Sequence, residues 1–251
     1  MLEPGFYNMD CMEAMKQFPD KFFDLAIVDP PYGDAGTVFQ GNGGSRFGGR
    51  FDRYKKDDKS TKLVYRTGGT WATKYGKKIL DWDIAPGEEY FQELFRVSKN
   101  QIVWGGNYFQ LPPTRCFVIW KKLTISEDFS MSMAEYAWTS FNGNAKLFEC
   151  APQGNANEPR IHACQKPVKL YSWLLSRFAN EGDKILDTHV GSASSLVACH
   201  RGGFDAWGFE IDPDYYQKAK ERLDRETAQV TMYDLLEGVR GTGNDATAQD
   251  I

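Results

Sequence analysis

Several things are scarce in this sequence, and each scarcity excludes something. No apolar run approaches the roughly 20 residues a bilayer crossing needs. The start, Met1-Leu2-Glu3-Pro4-Gly5, has no charged stretch followed by an apolar one. A membrane span and an export signal are therefore not expected, and a cytoplasmic location is. There are three histidines (His162, His189, His200) and five cysteines (Cys11, Cys116, Cys150, Cys164, Cys199). An odd, scattered set of cysteines argues against a disulfide framework and for reduced thiols. No Cys/His spacing suits a structural metal, so none is expected. Gly-x-Gly-x-x-Gly is also missing, which leaves a pyrophosphate cradle, and hence an NAD-dependent dehydrogenase, poorly supported. With a net charge of −4, the chain has no overall basic signature.

What is present begins with size. A chain of 251 residues, 41% hydrophobic and 14% aromatic, can build one large domain carrying an insertion. Its organising stretch is Phe22-Phe23-Asp24-Leu25-Ala26-Ile27-Val28 followed by Asp29-Pro30-Pro31-Tyr32. The first part is short, apolar and rich in β-formers, so it reads as a buried strand. The second part is stiff, because proline fixes its own φ and restricts the residue before it. Such a turn can hold a carboxylate, two carbonyls and an aromatic ring in fixed positions at a strand's carboxyl end, where α/β sheets bind ligands. An exocyclic amine on a base is a poor nucleophile, because its lone pair is delocalised into the ring. If Asp29 accepts one N–H and the Pro30 carbonyl the other, the nitrogen is drawn towards tetrahedral geometry and the lone pair is freed. Tyr32 can stack on a base taken out of its duplex. Alone, the stretch is equally compatible with an ordinary strand followed by an Asp-Pro turn.

Around it the pattern alternates strands and helices. Strands are expected near Phe6–Met9, Gln101–Trp104, Cys116–Trp120, Ala134–Phe141, Leu147–Glu149, Lys184–Asp187 and Phe204–Glu210. Helices are expected over Met12–Phe18, Glu88–Ser98, Pro167 to about Asn180, Ser195–His200 and from Asp212-Pro213-Asp214 to about Leu223. Asn142-Gly143 signals a hairpin between the two strands that flank it. Residues 34–80 break this order with many glycines. Between Arg46 and Lys78 there are eleven basic and three acidic residues, a net of +8, so the rest of the chain carries −12. Phe47, Phe51, Tyr54, Tyr65, Trp71 and Tyr75 are interleaved with those charges, which suits phosphate contact and base stacking. Residues 1–236 thus read as one catalytic domain with a basic aromatic insertion at about 34–80. The Gly-, Thr-, Asn- and Asp-rich tail 237–251 reads as disordered.

A second site lies at Asp187–Glu210, a strand, a small-residue turn (Thr188-His189-Val190-Gly191-Ser192-Ala193-Ser194), a helix and a strand ending on a carboxylate. The turn lets a cofactor approach the backbone, and the closing acid can bind a ribose diol. Ribose without phosphate points to S-adenosylmethionine; the plain alternative is a βαβ packing turn.

Taken together these motifs resemble the β-group of DNA amino-methyltransferases, the adenine-N6 and cytosine-N4 enzymes, in which Asp-Pro-Pro-Tyr precedes the cofactor loop. Asn8-Met9-Asp10-Cys11 is similar to that family's amino-terminal element near the cofactor's adenosine. Gln165-Lys166-Pro167 resembles its element at the methionine end, and Gly208-Phe209-Glu210-Ile211-Asp212 its ribose-binding strand end. The cofactor loop departs from the family's Asp-Pro-Phe-x-Gly-Ser-Gly, which leaves His189 as a packing residue. The resemblance implies an α/β, Rossmann-like methyltransferase fold with permuted motif order: a seven-stranded, mostly parallel sheet with one antiparallel edge strand. The strands at 184, 205 and 6 would form one half and those at 22, 101, 116 and 135 the other, meeting near Asp29 and Asp187.

The resemblance further implies site-specific adenine-N6 methylation of double-stranded DNA with S-adenosyl-L-methionine as cofactor. Asp29, Pro30, Pro31 and Tyr32 would be catalytic. Asp10, Cys11, Asp29, Lys166, Asp187, Thr188, Gly191, Ser192, Ser194, Glu210 and Ile211 would hold the cofactor. Asp-Pro-Pro-Tyr leans towards adenine, since cytosine-N4 enzymes more often begin that motif with Ser. Methylation of RNA or a protein amide, and a binding module without turnover, are the remaining readings. The family includes dimers and partners of restriction enzymes, so a homodimer and a cognate restriction enzyme both stay open.

Overall fold

The computed structural model describes residues 1–33, 84–126, 132–152, 160–162 and 164–228. The insertion at 34–80, the loop at 153–159 and the tail at 237–251 lie outside them. One eight-stranded sheet runs through the described residues: β1 (Gly5–Asn8), β2 (Phe23–Val28), β3 (Ser98–Trp104), β4 (Phe117–Lys122), β5 (Ala134–Thr139), β6 (Lys146–Cys150), β7 (Ile185–Asp187) and β8 (Ala206–Glu210). Its order is β1-β8-β7-β2-β3-β5-β4-β6. The helices are α1 (Cys11–Met15), α2 (Glu88–Val97), α3 (Val168–Phe178), α4 (Ser194–Arg201) and α5 (Pro213–Thr227).

The expected halves are there. β1, β8 and β7 lie to one side and β2, β3, β5 and β4 to the other, joined where β2 pairs in parallel with β7 through Leu25–Ile185 and Ala26–Leu186. This pairing turns the carboxyl ends of both strands the same way. Beyond Asp24, β2 is apolar because the sheet is covered on both faces. Leu25 and Ile27 pack into the cluster with α3 and α4, whereas Ala26 and Val28 pack into the one with α1 and α2.

Three expectations are corrected. The sheet has eight strands rather than seven, because Lys146–Cys150 adds a full strand, β6, beyond β4. Within it the reversed strand β5 is internal rather than at the edge, since it lies between β3 and β4 and is antiparallel to both. The Asn142-Gly143 hairpin does not form: β4 lies between β5 and β6 and pairs with β6 in parallel. Finally, α1 stops at Met15 rather than Phe18, because Gln17 and Phe18 turn back in three-residue bonds to Ala14 and Met15 ahead of Pro19.

Asp212 caps α5 as its sequence suggests, accepting from Asp214 N and Tyr215 N at 2.8 and 3.0 Å with Pro213 in the first turn. That helix runs about one turn beyond Leu223, to Thr227. None of the described helices is long and apolar enough to cross a membrane.

Candidate active site

Asp29 is the first residue after β2, and Tyr32 folds back over it. The Tyr32 hydroxyl donates to Asp29 Oδ1 at 2.8 Å. The Tyr32 ring stacks on Tyr108, centroids 4.8 Å apart and planes at 16°, and meets the edge of Phe109 at 6.1 Å. Tyr108 ends a single 3₁₀ turn, Gly106–Tyr108, that follows β3. The turn is entered through Gly105 at φ +65°, where a Cβ would fall 2.1 Å from Tyr32 Cε1. Both the left-handed backbone and the ring against it require glycine there. Burial, then the Asp29 and Glu135 carboxylates, hold the Tyr32 phenol well above its ordinary pKa, so it stays a hydrogen-bond donor.

The second oxygen of Asp29, Oδ2, accepts from Lys166 Nζ. Lys166 lies just before α3 and only 4% of its side chain is exposed. It also reaches Glu135 Oε2 at 3.2 Å, and Glu135 Oε1 takes Lys122 Nζ at 2.6 Å. The result is a chain of alternating charge, Asp29–Lys166–Glu135–Lys122. The strand register explains it. Glu135 of β5 sits opposite Trp120 of β4, so Glu135, Trp120 and Lys122 share a sheet face. Burial alone would lower the Lys166 pKa, but the Asp29 and Glu135 carboxylates outweigh it and hold the ammonium charged. Burial likewise works against ionised Glu135, and Lys166 and Lys122 reverse it.

Across the β2–β7 seam lies the other half. Asp187 ends β7, buried, and accepts from Ser195 Oγ and from His189 N at 3.0 Å. Burial pushes its carboxyl up to about 7, against those two bonds and with Asp29 and Glu210 adding to the rise. Thr188 Oγ1 is 2.6 Å from the Tyr90 hydroxyl and 2.9 Å from His189 Nδ1. Desolvation lowers His189 to about 4, and its ring meets Tyr90 edge-on, so this histidine is a neutral packing group.

Glu210 ends β8, its two oxygens accepting from Gly191 N and Asp212 N at 2.9 and 3.0 Å. Burial raises its pKa. Ser192 and Ser194 are buried under the turn, their hydroxyls 3.1 Å apart, and Arg222 donates to the Ser192 carbonyl at 2.6 Å and to the Ser194 hydroxyl at 3.0 Å. Their side chains therefore brace the loop. Ile211 stands 59% exposed beside Glu210. Asp10 follows β1 and caps α1, accepting from Met12 N at 2.7 Å. Burial, with Asp10 adding to it, raises the adjoining Cys11 thiol to about 12, which keeps it protonated.

Asp29, Tyr32 and Lys166 are thus in direct contact; Asp187 and Glu210 end β7 and β8, and Asp10 follows β1, the three strands being adjacent and parallel. Sequence reasoning missed Glu135, Lys122, Ser195 and Tyr90. A charged residue on a strand reads as solvent-facing, and the only signal for Glu135 and Lys122 was that each breaks an apolar alternation. His162 was also missed as a site element. It packs on Tyr215 with centroids 4.3 Å apart, and a Cβ on Gly191 would lie 3.5 Å from its ring. Among the described residues no His/Cys/Asp/Glu cluster could hold a metal ion.

A family model described as DNA methylase matches residues 51–221. Type II methyltransferase M.HpaI of Haemophilus parainfluenzae is 40% identical over 236 residues, 86% of this chain and 73% of that protein. DNA adenine methyltransferase YhdJ of Escherichia coli is 22% identical over 257 residues, 86% of this chain and 81% of that one. The solved M1.HpyAVI–SAM complex shares the fold with TM-score 0.51 and 18% identity, spanning 87% of this chain and 98% of that one. With the motifs in the family's order on one sheet, and a family match over most of its length, the chain belongs to the DNA methylase family of N6 and N4 amino-methyltransferases.

Proposed function

We propose that the chain is a site-specific DNA adenine-N6 methyltransferase using S-adenosyl-L-methionine. The observation that carries this reading is the parallel pairing of β2 with β7, which brings the carboxyl ends of the strands leading to Asp29 and Asp187 side by side; the cofactor would lie against Asp187, Glu210 and Asp10. The donor set suits the cofactor. Those three carboxylates are held by backbone N–H and hydroxyl groups, with no cationic partner among the described residues. Such a wall fits a ligand bearing hydroxyls and positive charge and would repel a phosphate. Glu210 would take the ribose hydroxyls, Ile211 would lie on the adenine, Asp10 and Cys11 would border the adenosine, and Asp187 and Lys166 would face the methionine end. Thr188, Gly191, Ser192 and Ser194 would shape the loop. When bound, the cofactor supplies an electrophilic methyl group.

On the other side of the seam the chain's own residues prepare the amine. Each oxygen of Asp29 has one partner, Tyr32 or Lys166, and a carboxylate oxygen can accept a second. One amine N–H then binds Asp29 and the other the Pro30 carbonyl, and the freed lone pair points at the donor pocket. Pro31 keeps the turn rigid. Asp29 would also accept the proton that the alkylated nitrogen sheds. The Tyr32–Tyr108 pair offers the aromatic surface on which an extruded base is held. The effect is positioning and electrostatics in a closed site.

The basic aromatic segment 46–78 would grip the DNA backbone. The likeness to a type II methyltransferase supports a companion restriction enzyme with the same recognition sequence, and a DNA substrate supports a cytoplasmic location. The test is tritiated methyl transfer to unmethylated genomic DNA followed by nucleoside mass analysis. N6-methyladenine is expected. N4-methylcytosine would replace the base assignment, and no transfer to DNA would overturn the reading.

A further inference from the structure

We infer that Glu135, backed by Lys122, is a positioning residue for the reaction: by sharing the Lys166 ammonium it keeps negative charge on Asp29 available to the substrate amine. The inference rests on the methyltransferase reading above and deepens it.

Lys166 is buried and has two carboxylates within reach, Asp29 Oδ2 and Glu135 Oε2. Were Asp29 its only partner, the pair would be neutral, and Asp29 would offer an approaching N–H little more than a neutral acceptor does. Glu135 draws on the same ammonium from the opposite side, so Lys166 is divided between two anions. Glu135 needs its own compensation for being held in the interior, and Lys122 gives it at 2.6 Å. Lys122 in turn is buried, with its ammonium 5.3 Å from the Trp120 ring centre. Trp104 closes the same face, its ring centre 5.2 Å from Lys166 Nζ. The four charged groups sum to zero, yet the one at the end of the charge chain, Asp29, faces among the described residues only a shared cation and the Tyr32 hydroxyl.

That arrangement matches what the chemistry demands. The target amine starts neutral and gains positive charge as its nitrogen is alkylated. An acceptor that keeps much of its negative charge stabilises the transition state more than the ground state, and only such a difference raises the rate. Neither Glu135 nor Lys122 touches the substrate in this reading; both act through Lys166.

The test compares wild type, Glu135→Gln and the double variant Glu135→Gln/Lys122→Met in thermal melts, cofactor and DNA binding, and single-turnover methyl transfer. In Glu135→Gln the Lys122 ammonium loses its carboxylate and Lys166 belongs to Asp29 alone. Melting temperature should fall, the rate should fall by on the order of tenfold or more, and both binding constants should stay close to wild type. The double variant removes the stranded ammonium, so melting temperature should recover while the rate stays low. Recovery of rate together with stability would show a merely structural role and overturn the inference. Wild-type turnover by Glu135→Gln would overturn it while leaving the methyltransferase reading intact. A wild-type enzyme that transfers no methyl group to DNA would overturn both.

Discussion

Gly105→Ala separates the placement of Tyr32 from the stability of the fold. Gly105 has φ +65°, and an L-residue in that region costs about 1–2 kcal/mol. Its new Cβ would also lie 2.1 Å from Tyr32 Cε1 and 2.4 Å from Cζ. Ordinary carbon contact is about 3.5 Å or more, so the ring must move by more than about 1 Å. The Tyr32 hydroxyl is 2.8 Å from Asp29 Oδ1, and a shift of that size breaks the bond and unseats the ring from Tyr108. Misplacing a positioning group by about 1 Å costs on the order of a hundredfold in rate.

Gly182→Ala is the control. Gly182 has φ +82° in the turn before β7, and a Cβ there meets nothing within 4 Å. It carries the same backbone strain without the collision. For a chain of this size, about 1–2 kcal/mol corresponds to roughly 2–8 °C in melting temperature. Gly182→Ala should lose stability in that range and Gly105→Ala at least as much, and only Gly105→Ala should lose methyl transfer. The assay pairs a thermal melt with tritium transfer to DNA at saturating cofactor. Gly105→Ala with wild-type turnover would refute the claim that Tyr32 must sit where it does, and equal activity loss in both variants would trace the effect to general destabilisation.

Three further outcomes follow from the site. Asp29→Ala should abolish methyl transfer while cofactor affinity, measured by titration calorimetry, stays within a few fold, because Lys166 keeps Glu135 as a partner; loss of both would end the proposed division of roles. Tyr108→Ala removes one ring of the aromatic pair, and a base–aromatic stack is worth about 1–3 kcal/mol, so kcat/KM for DNA should drop roughly ten- to a hundredfold with cofactor binding unchanged; an unaltered kcat/KM would exclude Tyr108 from the base pocket. The third concerns pH. Burial pushes Asp187 up to about 7, above its ordinary value of 3.8, so the folded protein holds that proton through the weakly acidic range and ionising the buried group costs stability as pH climbs towards 7. A positively charged cofactor prefers the ionised form, so its affinity should rise as pH passes through about 7, and Asp187→Asn should flatten that rise; identical pH profiles for the two proteins would sink the assignment.

Much of this was legible in the sequence because local chemistry dictated it. The β2 run and Asp29-Pro30-Pro31-Tyr32 announced a strand ending in a rigid turn. Asp212-Pro213 announced a helix start, and the small residues 188–194 announced a close backbone approach. The two halves of the sheet and their meeting point followed from the family resemblance, because local signals mark each strand but not which strands become neighbours. What was not readable was set by pairing across long separations. Asn142-Gly143 looks like a hairpin from neighbours alone, but β6 gains more by lying along β4, where Phe148 packs with Trp173 of α3 at 4.9 Å between ring centres. Lys122 and Glu135 look like surface charges until the reversed strand β5 brings them to one face beside Lys166. Tyr108 was visible at the end of β3, but its partner Tyr32 lies 76 positions earlier and no periodicity joins them.

The charges at the seam divide the site in a way that follows from its two ligands on the proposed reading. Among the described residues Asp10, Asp187 and Glu210 are held by neutral donors, so the side of the seam they line carries net negative charge. A cofactor bearing a sulfonium and an ammonium gains from that field before reaction and gains less once the sulfonium charge is gone, which favours release of the product. Asp29 belongs to the opposite arrangement, in which every carboxylate has a lysine and the sum is zero. A neutral base can enter such a pocket without facing a net charge, and only its amine, as it turns cationic, meets the exposed end of the chain. The positive charge that leaves sulfur therefore moves from one set of carboxylates towards another. The same step in a site whose base pocket carried an unshared lysine at Asp29 would be opposed, and Glu135 is what prevents that here.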